Sequence, residues 1–120
     1  MSVAKKLQIK PGQSVVVLRR PADVALEIEP SDRAVDADSA DAVIVFVTSS
    51  ADLNSPDIDA VVRAGSRDAL AWVAYPKAGQ LATDLNRDSL AARISERGVR
   101  PVRQISIDDI WSALRFRPSM

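Results

Sequence analysis

The stretch Ala42-Val43-Ile44-Val45-Phe46-Val47 decides the fold class, because it is a continuous apolar run rich in β-branched residues. A strand with one face in water would alternate apolar and polar residues, and this run does not. It is therefore predicted to be a strand buried on both faces, as in a parallel sheet covered by helices. The run is far too short to span a membrane.

Two further strands are predicted around this run, Ser14–Leu18 before it and Leu70–Tyr75 after it. Between the first two strands, the proline at the start of Pro21–Glu27 favours a short helix. A marginal strand is also predicted over Arg33–Val35. These segments place strands and helices in alternation along the first half of the chain.

The sequence Ser55-Pro56-Asp57 is typical of a helix start, since it offers a capping hydroxyl, a proline in the first turn and an acid near the positive end of the helix dipole. An earlier start near Asp52, with Pro56 inside the first turns, is the alternative. Gly65 is predicted to end this helix in a left-handed cap. A second helix is predicted over Arg87–Arg97, where Asn86 caps the start and Gly98 supplies the stop.

Val102–Ile107 and Ile110–Phe116 are predicted to form an antiparallel hairpin at the edge of the sheet, because polar and apolar residues alternate and the connection is short. Alternating strands and helices before the hairpin favour a parallel sheet with right-handed crossovers. The sequence therefore predicts one α/β domain over residues 1–120. Its expected architecture is a three-layer Rossmann-like sandwich with a mostly parallel sheet, a C-terminal antiparallel hairpin and a shortened methyltransferase-like topology.

The chain contains no histidine and no cysteine. Catalysis by Ser-His-Asp or Cys-His groups, zinc-thiolate sites and disulfides are thereby excluded. Metal binding would need clustered carboxylates, and we expect neither a metal nor a cofactor. With no signal peptide or transmembrane segment in view, the expected location is the cytoplasm.

The net charge is zero, but the charges are unevenly spread. Residues 1–20 carry five basic groups and no acid, whereas residues 21–59 carry ten acids against Arg33 alone. Solvated surface of both signs is one interpretation, and an acidic edge that faces a basic partner is the other. Scattered basic residues and an aromatic content of 4% argue against nucleic acid as a partner.

Several segments together carry a resemblance to known families. Leu7–Val15 resembles the lead-in to the first strand of class I methyltransferases. The other segments are Phe46-Val47-Thr48-Ser49, Trp72-Val73-Ala74-Tyr75-Pro76-Lys77, Thr83-Asp84-Leu85 and Ile107–Phe116. With these segments the chain is similar to a bacterial family known as domain of unknown function 3052. The resemblance implies a small cytoplasmic α/β protein without an established activity, and it marks out Pro76, Lys77, Thr83, Asp84, Trp111 and Ser112.

One departure from methyltransferases concerns the turn after the first strand, which in those enzymes is rich in glycine and lets the backbone approach the cofactor. Here the turn reads Leu18-Arg19-Arg20-Pro21-Ala22-Asp23, without glycine. Asp36 or Asp38 could imitate the acid that holds a ribose, although a loop carboxylate is the simpler interpretation. We therefore expect that S-adenosylmethionine does not bind.

In open α/β sheets, ligands bind beyond the carboxyl ends of the strands. If the three strands are parallel, their polar ends meet on one rim, where guanidinium, ammonium and hydroxyl groups favour a phosphate or carboxylate. Lys77 could also act as a Schiff-base amine or general base, and Trp111 could stack on a ligand or pack in the core. The candidate ligand-binding residues are Arg19, Arg20, Thr48, Ser49, Tyr75, Lys77, Thr83, Asp84 and Trp111.

Two functional interpretations follow from these observations. The first is a non-catalytic binding module that engages another protein or a second copy of itself through the Val102–Phe116 hairpin, since edge strands offer unpaired backbone groups. The alternative is a small-molecule enzyme or sensor that holds an anionic ligand at the rim.

Overall fold

A computed structural model of the chain describes residues 3–24, 36–77, 79–81 and 83–119. The elements within them are α1 (Val3–Lys6), β1 (Val15–Leu18), β2 (Ala42–Phe46), a 3₁₀ helix (Ser50–Asn54), α2 (Pro56–Ser66), β3 (Leu70–Pro76), α3 (Arg87–Ser95), β4 (Val99–Ser106) and β5 (Trp111–Pro118). In this part of the chain, no helix is long and apolar enough to cross a membrane.

The five described strands form one sheet in the order β1-β2-β3-β5-β4. β1, β2 and β3 run parallel to one another. β5 runs antiparallel to both of its neighbours, β3 and β4. The last strand of the chain is therefore inserted inside the sheet, and the strand before it, β4, forms the edge.

The prediction of a mostly parallel, Rossmann-like three-layer sandwich is wrong. Among the described strands, two of the four pairings are antiparallel. α2 and α3 both pack on one face of the sheet, through residues such as Ile58 and Leu90. On the other face, the described cover consists of the four-residue α1 and loop residues such as Leu7 and Val24. The sequence pattern showed alternating strands and helices, but it could not show which face each helix covers.

The prediction that the Ala42–Val47 run is buried on both faces is confirmed. Val43 and Val45 pack against the α2 and α3 side, while Ile44 and Phe46 pack against the α1 side. All six residues of the run are at most 2% exposed. Each of the larger side chains contributes about 1.5–3 kcal/mol by its burial, so this strand is the centre of both halves of the core.

The predicted helix starts are also confirmed. The Ser55 hydroxyl accepts a hydrogen bond from the Asp57 amide at 3.1 Å, with Pro56 as the first residue of α2. The Asn86 side chain accepts one from the Ser89 amide at 2.9 Å. Each bond satisfies an amide that the helix itself leaves without an acceptor.

The predicted helix ends are less accurate. α2 continues past Gly65, which is buried in the helix, where an added Cβ would lie 3.2 Å from Val99 Cγ1. This glycine therefore serves close packing of helix on sheet and not a left-handed cap. α3 ends at Ser95, before the predicted Arg97, because the chain tightens into a turn that leads to Gly98 at a φ of +93°.

Two predicted segments fall partly or wholly beyond the described residues. Residues 21–24 of the predicted Pro21–Glu27 helix form a turn, in which the Val24 amide donates to the Pro21 carbonyl at 3.1 Å. The rest of that helix and the marginal strand at Arg33–Val35 lie outside the described part of the chain.

The position of β5 explains why its sequence misled the prediction of a hairpin at the sheet edge. Its first four residues are all buried, and they include Ser112 at 5% exposed. Alternation of polar and apolar residues indicates one wet face, but small polar side chains also fit inside a sheet where a cavity or hydrogen-bond partner is near. Ser112 lies beside the cavity described below.

Candidate functional site

The carboxyl ends of β1, β2 and β3 lie at one edge of the sheet, because the three strands are parallel. The anionic-ligand site predicted from the sequence belongs to this edge. Seven of the nine candidate residues fall into two groups with different properties, and the second group lines a cavity.

The first group is organised around the carboxylate of Asp52, in the 3₁₀ helix. Its Oδ2 accepts hydrogen bonds from the Thr48 amide at 2.8 Å and the Thr48 hydroxyl at 2.9 Å, with the Ser49 amide at 3.3 Å. Its Oδ1 lies 3.0 Å from Nη2 of Arg19. The Thr48 hydrogen bonds and the charge of Arg19 lower the pKa of Asp52, against the opposing effect of burial.

The loop before α3 is tied to the same group. The Thr83 hydroxyl donates to the Thr48 carbonyl at 2.7 Å. Asp84 accepts from the Ser50 hydroxyl at 2.5 Å and from the Ser50 amide at 2.8 Å, and these two bonds lower the pKa of Asp84. We call the combined group the strand-end clamp, with the members Arg19, Thr48, Ser49, Ser50, Asp52, Thr83 and Asp84.

The strand-end clamp is poorly suited to an anionic ligand. Its cation, Arg19, is engaged by Asp52 and also lies 3.9 Å from Asp57. The carboxylates of Asp52 and Asp84 would repel an incoming phosphate or carboxylate. Arg20 is directed elsewhere, since its Nη1 donates to the Val24 carbonyl at 3.0 Å. The structure therefore does not bring Arg20, Ser49 and Lys77 together around one ligand.

The second group surrounds a cavity of about 570 Å³, which we call the Tyr75 cavity. It lies at the end of β3, between the start of α3 and the antiparallel strands β4 and β5. Its volume falls within the range typical of small-molecule sites. The residues that line it are Tyr75, Lys77, Asn86, Arg87, Gln104, Ile105, Ser106 and Ser112.

The register of three adjacent strands places the strand residues of the cavity. Tyr75 lies opposite Ser112, and Ser112 lies opposite Ser106, so the three side chains form a row across the sheet. Lys77 follows β3 directly, and its Nζ donates to the Ser106 hydroxyl at 2.8 Å. Its amide donates to the Ile110 carbonyl at 2.7 Å, which fixes the backbone from which this side chain extends.

The start of α3 supplies the opposite wall. Asn86 caps the helix by accepting from the Ser89 amide, and its own amide donates to the Ser89 hydroxyl at 3.1 Å. Arg87, the first residue of the helix, is exposed and lines the cavity. Its Nη1 lies 3.4 Å from Oδ1 of Asp88, whose side chain is 92% exposed, so this ion pair holds Arg87 only weakly.

Tyr75 is the most unusual residue of the cavity. Its side chain is 3% exposed, and its buried hydroxyl has no hydrogen-bond partner among the described residues. Burial is the main cause of the raised pKa of Tyr75, while the charge of Arg87 lowers this pKa and the charge of Asp88 raises it further. The hydroxyl therefore stays protonated at neutral pH and is available as a donor. Buried polar groups in native proteins are nearly always paired, so an unpaired one calls for an explanation.

The charge of the cavity lining is positive. Lys77 and Arg87 are the charged residues among the described part of the lining, which contains no acid. A third cation approaches from the other side of the sheet, where Lys6 Nζ donates to the Ser106 carbonyl at 3.1 Å. Two serine hydroxyls, an asparagine and a glutamine add neutral hydrogen-bonding groups. Such a lining is suited to an anion that also carries hydrogen-bond acceptors.

Three other expectations can be compared with the geometry. Trp111 is 2% exposed and packs edge-on against Phe46, with ring centroids 5.1 Å apart, so its ring lies in the core. Pro76 ends β3 opposite Trp111. In the described part of the chain, no group of three or more acidic residues is arranged to hold a metal ion.

Of the sequence-predicted residues, the cavity thus contains Tyr75 and Lys77, together with Ser112 from the family resemblance. It also contains Asn86, Arg87, Gln104 and Ser106, which the sequence analysis did not propose as ligand-binding. Asn86 and Arg87 were identified only as a helix start. Gln104 and Ser106 lie on the same face of β4, because side chains alternate along a strand. This alternation would have identified them as cavity residues only if the prediction had also placed β5 next to β3.

Comparisons with known proteins give no assignment: no protein-family model matches the chain, and no curated protein matches its sequence. The resemblance given in the sequence analysis therefore stays a prediction.

Proposed function

We propose that this protein is a binding domain for a small anionic ligand, a phosphate or carboxylate compound, which occupies the Tyr75 cavity. The observation that carries the proposal is the buried hydroxyl of Tyr75, which has no hydrogen-bond partner among the described residues and lies in a cavity whose described charged residues are both cations. The ligand class, a phosphate or carboxylate, is the one that the sequence suggests for the ends of the three parallel strands. The proposed site, however, lies between β3, β4, β5 and α3.

In this proposal each polar group has a defined role. Arg87 offers a planar guanidinium that can donate two parallel hydrogen bonds to a carboxylate or phosphate. Lys77 contributes a point charge from the end of β3, and its bond to Ser106 keeps the ammonium at the cavity wall. Tyr75 donates to a neutral or charged acceptor of the ligand, which removes the cost of a buried hydroxyl without a partner.

The proposal assigns binding and no catalytic step. A general base or nucleophile would need a neighbour that activates it. The ammonium of Lys77 has a serine hydroxyl as its described partner, and none of the described residues that line the cavity is an acid. We further propose a cytoplasmic location, which agrees with the absence of cysteine from the sequence.

A thermal-shift screen tests the proposed function. The panel contains inorganic phosphate, nucleotides, sugar phosphates and small dicarboxylates, each compared with a neutral analogue of similar size. A ligand at 100 times its dissociation constant should add about 2.7 kcal/mol to the free energy of unfolding. Isothermal titration of the best compound then gives its affinity for each variant.

Two matched pairs of variants locate the site. Arg87→Gln removes a cavity cation, whereas Arg93→Gln removes the same charge from the exposed surface of the same helix. Lys77→Ala is paired with Lys10→Ala, which lies outside the cavity lining. We expect affinity to fall in the cavity variants and to stay unchanged in the controls. An anion that binds all four variants equally, or no response to any anion, would refute the proposed function.

A further inference from the structure

A second cationic surface lies on the opposite face of the sheet from the Tyr75 cavity. In the register of β4 and β5, Arg103 lies opposite Arg115, and Arg100 lies opposite Arg117. Arg115 and Arg117 alternate along β5 with Leu114 and Phe116, which belong to the α2 and α3 side. The four arginines therefore share the α1 side, and we call them the arginine face.

The arginine face forms a grid of closely spaced positive charges. Residues opposite each other on antiparallel strands have Cβ atoms roughly 4.5–5.5 Å apart. Residues two apart along one strand are separated by about 6.5–7 Å. Like charges directly opposite each other are unfavourable in a sheet. Two such pairs stand side by side here.

Within the described residues, few acceptors balance these charges. Asp68 accepts from Nε and Nη2 of Arg117 at 2.8 and 2.9 Å. It is the one carboxylate bonded to the grid within the described residues. Arg115 donates through Nη1 to the side chain of Gln8 at 2.7 Å. Arg100 donates through Nε to the carbonyl of Pro118 at 3.2 Å.

Two donors on the grid remain without partners in the described part of the chain. The Nε of Arg115 is buried and unpaired. Arg103 is exposed and has no hydrogen-bond or ion-pair partner there. Burial and the charges of Arg117 and Arg103 lower the pKa of Arg115. Among the described residues, the grid therefore carries more positive than negative charge, and the exposed guanidinium of Arg103 is a donor that an anion from outside can reach.

We infer that the arginine face is a docking surface for an extended acidic segment of a partner protein. In an extended chain, every second side chain lies on the same side, at a spacing of about 6.5–7 Å. Acidic residues at alternate positions would therefore match the spacing of Arg103 and Arg100, which lie opposite Arg115 and Arg117 and have no carboxylate bonded to them among the described residues. Each carboxylate could accept parallel hydrogen bonds from a guanidinium.

The partner is expected to dock through side chains and not by adding a strand to the sheet. β4 is the edge strand, but it contains Pro101 and an irregularity between Pro101 and Arg103. A proline and a bulge both interrupt the backbone ladder that an added strand would need. The proposed docking surface overlaps the Val102–Phe116 hairpin that the sequence suggests as an interaction surface. The partner contacts side chains on the face of this hairpin and not the backbone of its edge strand.

Nucleic acid fits this surface less well than an acidic peptide. A single strand gains affinity by stacking its bases on aromatic side chains. The aromatic residues of this side of the sheet, Phe46, Trp72 and Trp111, are all at most 2% exposed. The grid also contains only two arginines on each of the two strands. This length is short for contacts that follow a phosphate backbone.

A second copy of this chain also fits less well, because its described acidic loop is already engaged. Asp36 accepts from the Ser39 amide and hydroxyl, both at 3.1 Å. Asp38 is paired with Arg63. Asp41 accepts from the Ser14 amide at 2.9 Å. A partner with free alternating carboxylates satisfies the grid without breaking these bonds.

Fluorescence anisotropy with a labelled synthetic peptide, in which aspartate alternates with serine, tests this inference. The chain should bind this peptide, and an otherwise identical peptide with asparagine in place of aspartate should not bind. Arg103→Gln and Arg100→Gln should each weaken binding by up to about fivefold, as expected for an exposed ion pair. The control Arg93→Gln, on α3, should bind like the unaltered protein.

Three results would overturn the inference. The first is equal peptide affinity in Arg103→Gln and Arg93→Gln. The second is tighter, arginine-dependent binding of an oligothymidine single strand than of the peptide, which would favour nucleic acid. The third is a salt-sensitive dimer in sedimentation that Arg103→Gln dissociates, which would favour self-association. Thermal unfolding of each variant separates lost binding from lost folding, since removing a like-charge neighbour should leave the fold intact.

Discussion

The strand-end clamp and the Tyr75 cavity lie at the same edge of the sheet, yet their polar groups are used in opposite ways. In the clamp, the carboxylates of Asp52 and Asp84 accept from amides, hydroxyls and Arg19. In the cavity, the Tyr75 hydroxyl has no described partner and the charged lining residues are both cations. Polar residues at strand ends can thus stabilise the fold or remain available for a ligand, and only their partners distinguish the two.

This difference predicts that Asp52→Ala has the largest effect on stability. The substitution removes the acceptor of two Thr48 donors and the ion-pair partner of Arg19. Hydrogen bonds to charged groups contribute about 1.5–3 kcal/mol, so we expect a loss of about 2–4 kcal/mol. Urea denaturation measures it, with Asp109→Ala, an exposed acid in the loop between β4 and β5, as the control. A loss no larger than that of the control would mean that the clamp does not stabilise the fold.

The pH dependence of stability sharpens the same distinction. The pKa values of Asp52 and Asp84 are lowered in the folded protein, so both groups stabilise it above their unfolded pKa of about 3.9. That contribution is lost as the pH falls from about 5 toward the lowered folded pKa, because the folded state must then take up protons.

An Asp52→Asn variant should therefore lose less stability than the unaltered protein over this acidic range. Denaturation midpoints at several pH values between neutrality and acid would measure the difference. Parallel curves for the two proteins would contradict a role for the Asp52 charge, even if the variant were less stable at every pH.

A substitution in the Tyr75 cavity should change the stability in the opposite direction to Asp52→Ala. Tyr75→Phe removes a buried hydroxyl that has no described partner, and leaving such a group unpaired costs about 1–3 kcal/mol. We expect the free energy of unfolding to rise by about 1 kcal/mol, because the ring remains in place. The same variant should bind the anionic ligand more weakly. A loss of stability would show that the hydroxyl has a partner in the folded protein.

The sequence was informative about local structure for identifiable physical reasons. The central strand was predictable because the Ala42–Val47 run has no polar interruption. Both long helices were predictable at their starts because Ser55 and Asn86 are side chains that cap a helix. These features depend on neighbours within a few residues along the chain, and such neighbours are visible in the sequence.

The sheet order was not predictable in the same way. Whether β5 pairs with β3 or only with β4 depends on contacts between residues far apart in sequence, such as Tyr75 with Ser112. The same limit applies to the Tyr75 cavity. Lys77 could be predicted as a ligand-binding residue because it follows a strand, but Arg87 and Ser106 come close to it only in the tertiary structure. The sequence also could not show that Asp52, four residues after Thr48, forms an ion pair with Arg19.

Lys77→Met is expected to have the smallest effect on stability, and it provides the sharpest test of the contrast between the clamp and the cavity. The ammonium donates to Ser106 at an exposed position, and such bonds contribute little because water replaces them. The methionine keeps an apolar stem of similar length, so we expect a change within about 0.5 kcal/mol.

Ligand affinity should nevertheless fall in Lys77→Met, because the charge that attracts the anion is gone. Stability measured by urea denaturation and affinity measured by titration would therefore separate in this variant, whereas Asp52→Ala should change stability and leave affinity intact once the protein is folded. If Lys77→Met instead loses more than about 1 kcal/mol of stability and no affinity, then Lys77 stabilises the fold as the clamp residues do. The division of this sheet edge into a structural half and a binding half would then be wrong.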